Sequence, residues 1–133
     1  MKNYIIITLM VIAAVSCKKA KADPHVPPDV ELQSGGKFIT NDCTLGKQDS
    51  VWVGIMAHKT EDDLKSYNVS YAYDGVATTT TFFNELLKPS EYDNYAKDIM
   101  IVTRNVAGTE RWVFSIVDRD GNITQKTINI TVQ

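Results

Sequence analysis

Side-chain character alternates two residues at a time along most of this chain. Val51, Val53, Ile55 and Ala57 interleave with Trp52, Gly54, Met56 and His58. Tyr67, Val69, Tyr71 and Tyr73 interleave with Ser66, Asn68, Ser70 and Ala72. Trp112, Phe114 and Ile116 alternate with Val113, Ser115 and Val117, and Ile128, Ile130 and Val132 with Asn129, Thr131 and Gln133. Successive side chains of an extended strand point to opposite faces, so this period belongs to half-buried strands and not to helices. Thr78 to Phe83 and Ile99 to Val102 add two runs of strand-favouring residues. Turn chemistry separates the runs at Glu61-Asp62-Asp63, Asp74-Gly75, Ala107-Gly108 and Asp120-Gly121-Asn122. Asp-Gly between two alternating runs is a strong hairpin signal. Asn84 to Lys97, with Leu86, Leu87, Pro89, Tyr92 and Tyr95, breaks the period and reads as a short helix or an ordered loop. Six or seven short strands in about 100 residues predict an all-β fold, an antiparallel β-sandwich of about seven strands over 30–133.

The N-terminus reads differently. Lys2 precedes Tyr4 to Val15, an apolar run of 12 residues broken only by a threonine. A spanning helix needs roughly 20, so the run suits the core of a signal peptide. It ends Ala14-Val15-Ser16-Cys17, which resembles the lipobox of bacterial lipoproteins. The Ser-Cys ending is most similar to lipoproteins of Bacteroidetes. Ala14 departs from the leucine usual three places before the cysteine. The resemblance implies cleavage before Cys17, acyl chains on its thiol and an outer-membrane location. Plain secretion is the alternative, with cleavage near Ala14-Val15-Ser16 or Ala20-Lys21-Ala22. Lys18 to Asp29 holds three prolines and no hydrophobic period, as a semi-rigid spacer would. The expected organisation is a signal peptide at 1–16, a lipidated Cys17 with its tether at 17–29, and the β domain at 30–133.

Three stretches, VWVGIMA, EDDLKSYNVSYAYDG and RWVFSIVDRDGNITQKTINITV, together resemble a bacterial immunoglobulin-like domain between Ser50 and Val132. Antibody-type domains carry an inter-sheet cysteine pair; Cys43 has no second cysteine in the domain to pair with. The resemblance implies a non-catalytic domain that presents a binding or adhesion surface to a glycan or a protein. The alternative is a structural subunit of an envelope complex.

Charge narrows the partners. Lys plus Arg number 14 against 16 Asp plus Glu, a formal net charge of -2, which gives no electrostatic footprint for nucleic acid. Catalytic constellations are thin, and the expectation is a non-enzyme without a cofactor. Cys43 and His58 would be the only thiol–imidazole pair, but Cys43 reads as a small buried hydrophobe and His58 as a strand-end residue facing water. The carboxylates Glu61, Asp62, Asp63, Asp74, Glu85, Glu91 and Asp93 fall in turns and edges. Asp118, Asp120 and Asn122 offer oxygens at i, i+2 and i+4, a weak Ca²⁺ candidate, although Asp, Gly and Asn also suit a hairpin turn for backbone reasons alone. Tyr67, Tyr71 and Tyr73 share a face with Val69. Buried, they fill the core with hydroxyls at the rim, as the polar opposite face favours; exposed, they would form an aromatic platform. Trp52 lies off the Val51-Val53-Ile55 face and, with Tyr92 and Tyr95, forms the candidate ligand patch.

Overall fold

In the computed structural model, which describes residues 22–133, the alternating runs are strands. Their order is β1 (Asp29–Leu32), β2 (Cys43–Leu45), β3 (Ser50–His58), β4 (Leu64–Tyr73), β5 (Thr80–Leu86), β6 (Asn94–Val102), β7 (Gly108–Asp118) and β8 (Ile123–Val132). The leader, Cys17 and the lysines at 18, 19 and 21 lie outside the described residues.

The strands form two sheets, ordered β1-β3-β6 and β2-β8-β7-β4-β5. The chain crosses between sheets from β3 to β4 and returns from β5 to β6. This is the plan of an immunoglobulin-like sandwich in which an extra edge strand, β5, is added to the G-F-C sheet formed by β8, β7 and β4. Neighbours are antiparallel except β2, which runs parallel to β8 from Cys43↔Ile130 to Leu45↔Val132. The sandwich has eight strands, in keeping with the about seven expected, and a single parallel pair in an otherwise antiparallel plan. β2, at three residues, is too short to show a period.

Inward residues follow the alternation. Val53, Ile55 and Ala57 of β3 are sealed, as are Tyr67 and Val69 of β4, Ile101 of β6, Ile116 of β7, and Ile128 and Ile130 of β8. Sealing each large aliphatic side chain contributes about 1.5–3 kcal/mol. Trp112 stands opposite Tyr71 on one side and Ile128 on the other, which places a ring in the middle of the five-stranded sheet. Glu110 is 1% exposed. Its two oxygens accept from the Arg104 backbone N–H at 2.8 Å and from Trp112 Nε1–H at 3.0 Å, so the buried carboxyl group is fully engaged.

Asn84 to Lys97 is half strand and half the ordered loop expected of it. β5 runs to Leu86 and β6 starts at Asn94, leaving a single 3₁₀ turn at Pro89–Glu91. Two effects hid the period. A bulge in β5 leaves Phe82 unpaired, because Val69 faces Phe83 while Ser70 faces Thr81. In β6 the inward alternation of Tyr95, Ile99 and Ile101 is interrupted by Lys97. The spacer also meets the domain earlier than its composition suggests. Asp29 is already in β1, Thr60 Oγ1–H reaches the carbonyls of Val26 at 3.1 Å and Pro27 at 3.0 Å, and Thr124 Oγ1–H donates to the Pro28 carbonyl at 2.5 Å.

Candidate binding surface

The residues expected to form one patch are separated by the pleat. Trp52 pairs with Met100, and Tyr95 pairs with Ala57. Trp52 and Ala57 are an odd number of residues apart on β3, so they face opposite sides of the sheet. Trp52 is half-buried on the outer face, with Lys37 Nζ 3.9 Å from its ring centroid. Tyr95 is 5% exposed, its ring 5.5 Å from that of Tyr67 and its hydroxyl donating to Glu85 at 2.7 Å. Burial, then the Glu85 bond, pushes its phenol well up. Tyr92 packs against the core beneath the Arg119 guanidinium, 4.2 Å from its ring. Trp52, Tyr92 and Tyr95 therefore make no common surface.

Asp118, Asp120 and Asn122 do not converge either. The carboxylate of Asp118, 1% exposed, accepts from the Asn122 backbone N–H at 2.8 Å and from Asn122 Nδ2 at 3.0 Å. It closes the β7–β8 hairpin, each oxygen accepting from Asn122. Asp120 points instead to His25, whose Nδ1 lies 2.9 Å away. That contact, then Asp23, raises the imidazole pKa. His25 is thus laid against the hairpin. Asp23, Glu61 and Asp62 crowd the same end, and Asp62 is raised, first by burial and then by Asp120.

Cys43 and His58 stand on different sheets. Cys43 is free and half-buried, and burial pushes its thiol up. His58 is exposed at the end of β3, with Nδ1 2.6 Å from Asn94 Oδ1. No dyad forms.

The structure assembles a surface that alternation revealed only in part. Tyr73, Tyr71, Trp112 and Phe82 form a continuous ladder of rings, with successive centroids 5.0, 5.2 and 5.2 Å apart. Such spacings are those of favourable aromatic pairs. Trp112 anchors the ladder at 3% exposure, while Phe82 is 50% exposed and the tyrosines are half-buried. Of the three tyrosines, only Tyr67 is sealed in the core as expected. Phe82 is the residue that the β5 bulge leaves unpaired, and it meets Trp112 edge-on at 83°. Arg104 caps the far rung, 4.6 Å from the Tyr73 centroid. Asp74 fixes that guanidinium with bonds of 2.8 and 2.5 Å and also accepts the Thr109 N–H at 3.0 Å. The Arg104 bond, then the Thr109 bond, holds the Asp74 carboxyl down to about 2. The outer face of the same sheet carries a cavity of about 120 Å³ lined by Ala72, Gly75, Val76, Thr109, Arg111 and Asn129. Ligand pockets run from about 300 Å³, so this cavity is small for a ligand. Two of the ladder's rungs, Tyr71 and Tyr73, are among the tyrosines whose shared face the sequence marks as a platform if exposed, and the doublet Phe82-Phe83, where two adjacent rings cannot both obey a period of two, is the signal for the exposed ring.

No family model and no curated protein matches the chain. Among solved structures it is similar to a β-glucosidase from Listeria innocua in complex with glucose, at 10% identity and TM-score 0.48, over 78% of this chain and 16% of that one. It is also similar to murine CRIg, at 11% identity and TM-score 0.40, over 80% of this chain and 98% of that one. A chain of the CaDoc0917–CaCohA2 complex matches at 12% identity and TM-score 0.39, over 70% of this chain and 96% of that one. The sandwich is assigned on strand order, and these likenesses add no activity to it. No helix among the described residues is long and apolar enough to cross a membrane.

Proposed function

We propose that the chain is a lipoprotein of a bacterial envelope, held by acyl chains on Cys17, whose immunoglobulin-like domain binds a ligand and does not catalyse. Support for the anchor comes from the short apolar leader ending at Ser16-Cys17. A single acyl chain holds only marginally, so two or more would be needed for stable attachment. Support for binding comes from one observation, the ring ladder Tyr73-Tyr71-Trp112-Phe82 with its outer rung half-exposed. Rings held from behind by a buried tryptophan lose little freedom on contact, and their faces suit the C–H face of a sugar ring or an apolar side chain. A glycan array probed with the full chain and with Phe82→Ala tests this. Signal on a defined glycan class, reduced at least about tenfold in the variant, supports a glycan ligand at the ladder. Equal signal for both proteins removes the ladder from the account. A second reading, an assembly subunit of an envelope complex, is favoured by the open edge of β6 and makes different use of the fold.

A further inference from the structure

The spacer and the ring ladder meet the domain at opposite ends. His25 Nδ1 lies 2.9 Å from Asp120 in the β7–β8 hairpin, and the Thr60 and Thr124 hydroxyls donate to the carbonyls of Val26, Pro27 and Pro28. β1 then begins at Asp29, opposite His58. The loops at this end are tied together. Leu64 N–H donates to the Tyr92 carbonyl at 2.9 Å, Lys59 N–H to that of Asp93 at 3.0 Å and Arg119 N–H to that of Asp63 at 2.9 Å. The chain therefore enters at one end, through consecutive residues that are held there. At the other end Arg104 and Asp74 join the β6–β7 loop to the β4–β5 turn. Tyr73, Tyr71, Trp112 and Phe82 stand in that half of the sheet.

Two lengths and a charge decide which way the ladder faces. Tyr73, its far rung, stands about 30 Å along β4 from Leu64 at the spacer end. Cys17 precedes Asp23 by six positions, a reach of about 20 Å at full extension. An inverted domain, with the ladder down on the headgroups and the spacer end up, would need a leash longer than that. Only a domain lying flat could bring the rings to the membrane, and charge opposes that pose. All 16 acidic residues follow position 22, against 10 of the 14 basic ones, the others being Lys2, Lys18, Lys19 and Lys21. A net acidic body is repelled by anionic headgroups, whereas the lysines that they attract lie beside Cys17 in the sequence.

We propose that the domain stands over its membrane with the ladder turned away, so that the glycan it takes is presented from beyond that membrane and is not a glycolipid headgroup within it. This rests on the anchored, ring-binding reading above and deepens it by naming the source of the ligand. The spacer residues His25 to Pro28 act as positioning residues in this account. They fix the point at which the leash leaves the domain, and they do so at the end that carries no rung of the ladder.

Energy transfer to a rhodamine headgroup lipid, in vesicles of phosphatidylcholine and phosphatidylglycerol, tests the stance on the lipidated full chain. Val76 in the β4–β5 turn and Ile123 at the start of β8 are each 55% exposed and mark the ladder end and the spacer end. In a Cys43→Ser background, a dye on Ile123→Cys is expected to transfer severalfold more than one on Val76→Cys. Equal or stronger transfer from position 76 overturns this inference alone. No transfer from either dye overturns the anchor and the inference with it. The source of the glycan is tested with the strongest glycan of the array, linked to a lipid and placed either in the chain's own vesicles or in a second population. Recruitment of the second population, reduced severalfold by Phe82→Ala, is expected. Binding only where the glycan shares the chain's own vesicle overturns the proposal.

Discussion

Tyr67 and Tyr95 sit with rings 5.5 Å apart in the same core, yet removing the same hydroxyl from each should have opposite signs. Tyr95 donates to Glu85 at 2.7 Å. Tyr67 is sealed from solvent, and its hydroxyl has no partner among the described residues. Burial accordingly pushes the Tyr67 phenol well above its ordinary range. Hydrogen bonds to charged groups contribute about 1.5–3 kcal/mol, and an unsatisfied buried hydroxyl costs about 1–3 kcal/mol. Tyr95→Phe should therefore destabilise by about 1–2 kcal/mol, the low end because Glu85 is partly solvated. Tyr67→Phe should be neutral or stabilise by up to about 1 kcal/mol. In a domain of this size 1 kcal/mol moves the melting temperature by about 4–8 °C, so calorimetry of the full chain separates the two. Both rings stay in place, so packing cancels in the comparison. A Tyr67→Phe variant that loses as much stability as Tyr95→Phe would refute the hydrogen-bond assignment.

Further outcomes follow from other contacts. Glu110→Gln keeps the volume but turns an amide toward one of two buried N–H donors, and should cost about 1–3 kcal/mol in urea unfolding; a loss under about 0.5 kcal/mol would contradict the double acceptance. Asp74 has a folded pKa depressed to about 2 from an ordinary 3.8, so its contribution is present above about pH 4 and lost as pH falls toward 2. Asp74→Asn should flatten the acid limb of the stability curve in that window, and an unchanged limb would show that the Arg104 pair is not felt. Gly54→Ala sets a Cβ 2.9 Å from Gln33 Cβ and 3.1 Å from Phe38 Cε1, and should cost about 1–3 kcal/mol; a neutral melt would mean that the Gln33–Phe38 segment gives way freely.

The parts legible in sequence were those where one face is dry and the other wet. β8 announced itself most clearly, because Ile128, Ile130 and Val132 point inward while Asn129 and Thr131 meet water; β3 and β7 kept the period in residue type although Gly54 and Ser115 on their other faces are buried. The Asp120-Gly121 hairpin was legible because turn chemistry is local, with Gly121 at φ 92°. Of the ring ladder only Tyr71 and Tyr73 were legible as rings on one face, because the rest depends on pairing between residues far apart in the chain. Trp112 meets Tyr71 across the β4–β7 ladder, and Phe82 reaches it only through a bulge. The failed Trp52–Tyr92–Tyr95 patch has the same origin. Periodicity assigns each residue a face within its own strand, but register between strands decides which faces meet, and Tyr95 falls inward against Tyr67. Asp118 spends its carboxylate on Asn122, a local bond that a ligand-spacing count cannot distinguish from a metal site.

Metabolic labelling of the native host with a palmitate analogue puts the anchored, ligand-presenting account to its most direct test. Label on the native chain that disappears in Cys17→Ser is the result expected, with the labelled protein recovered in the membrane fraction. An unlabelled native chain, or equal label on Cys17→Ser, would contradict it.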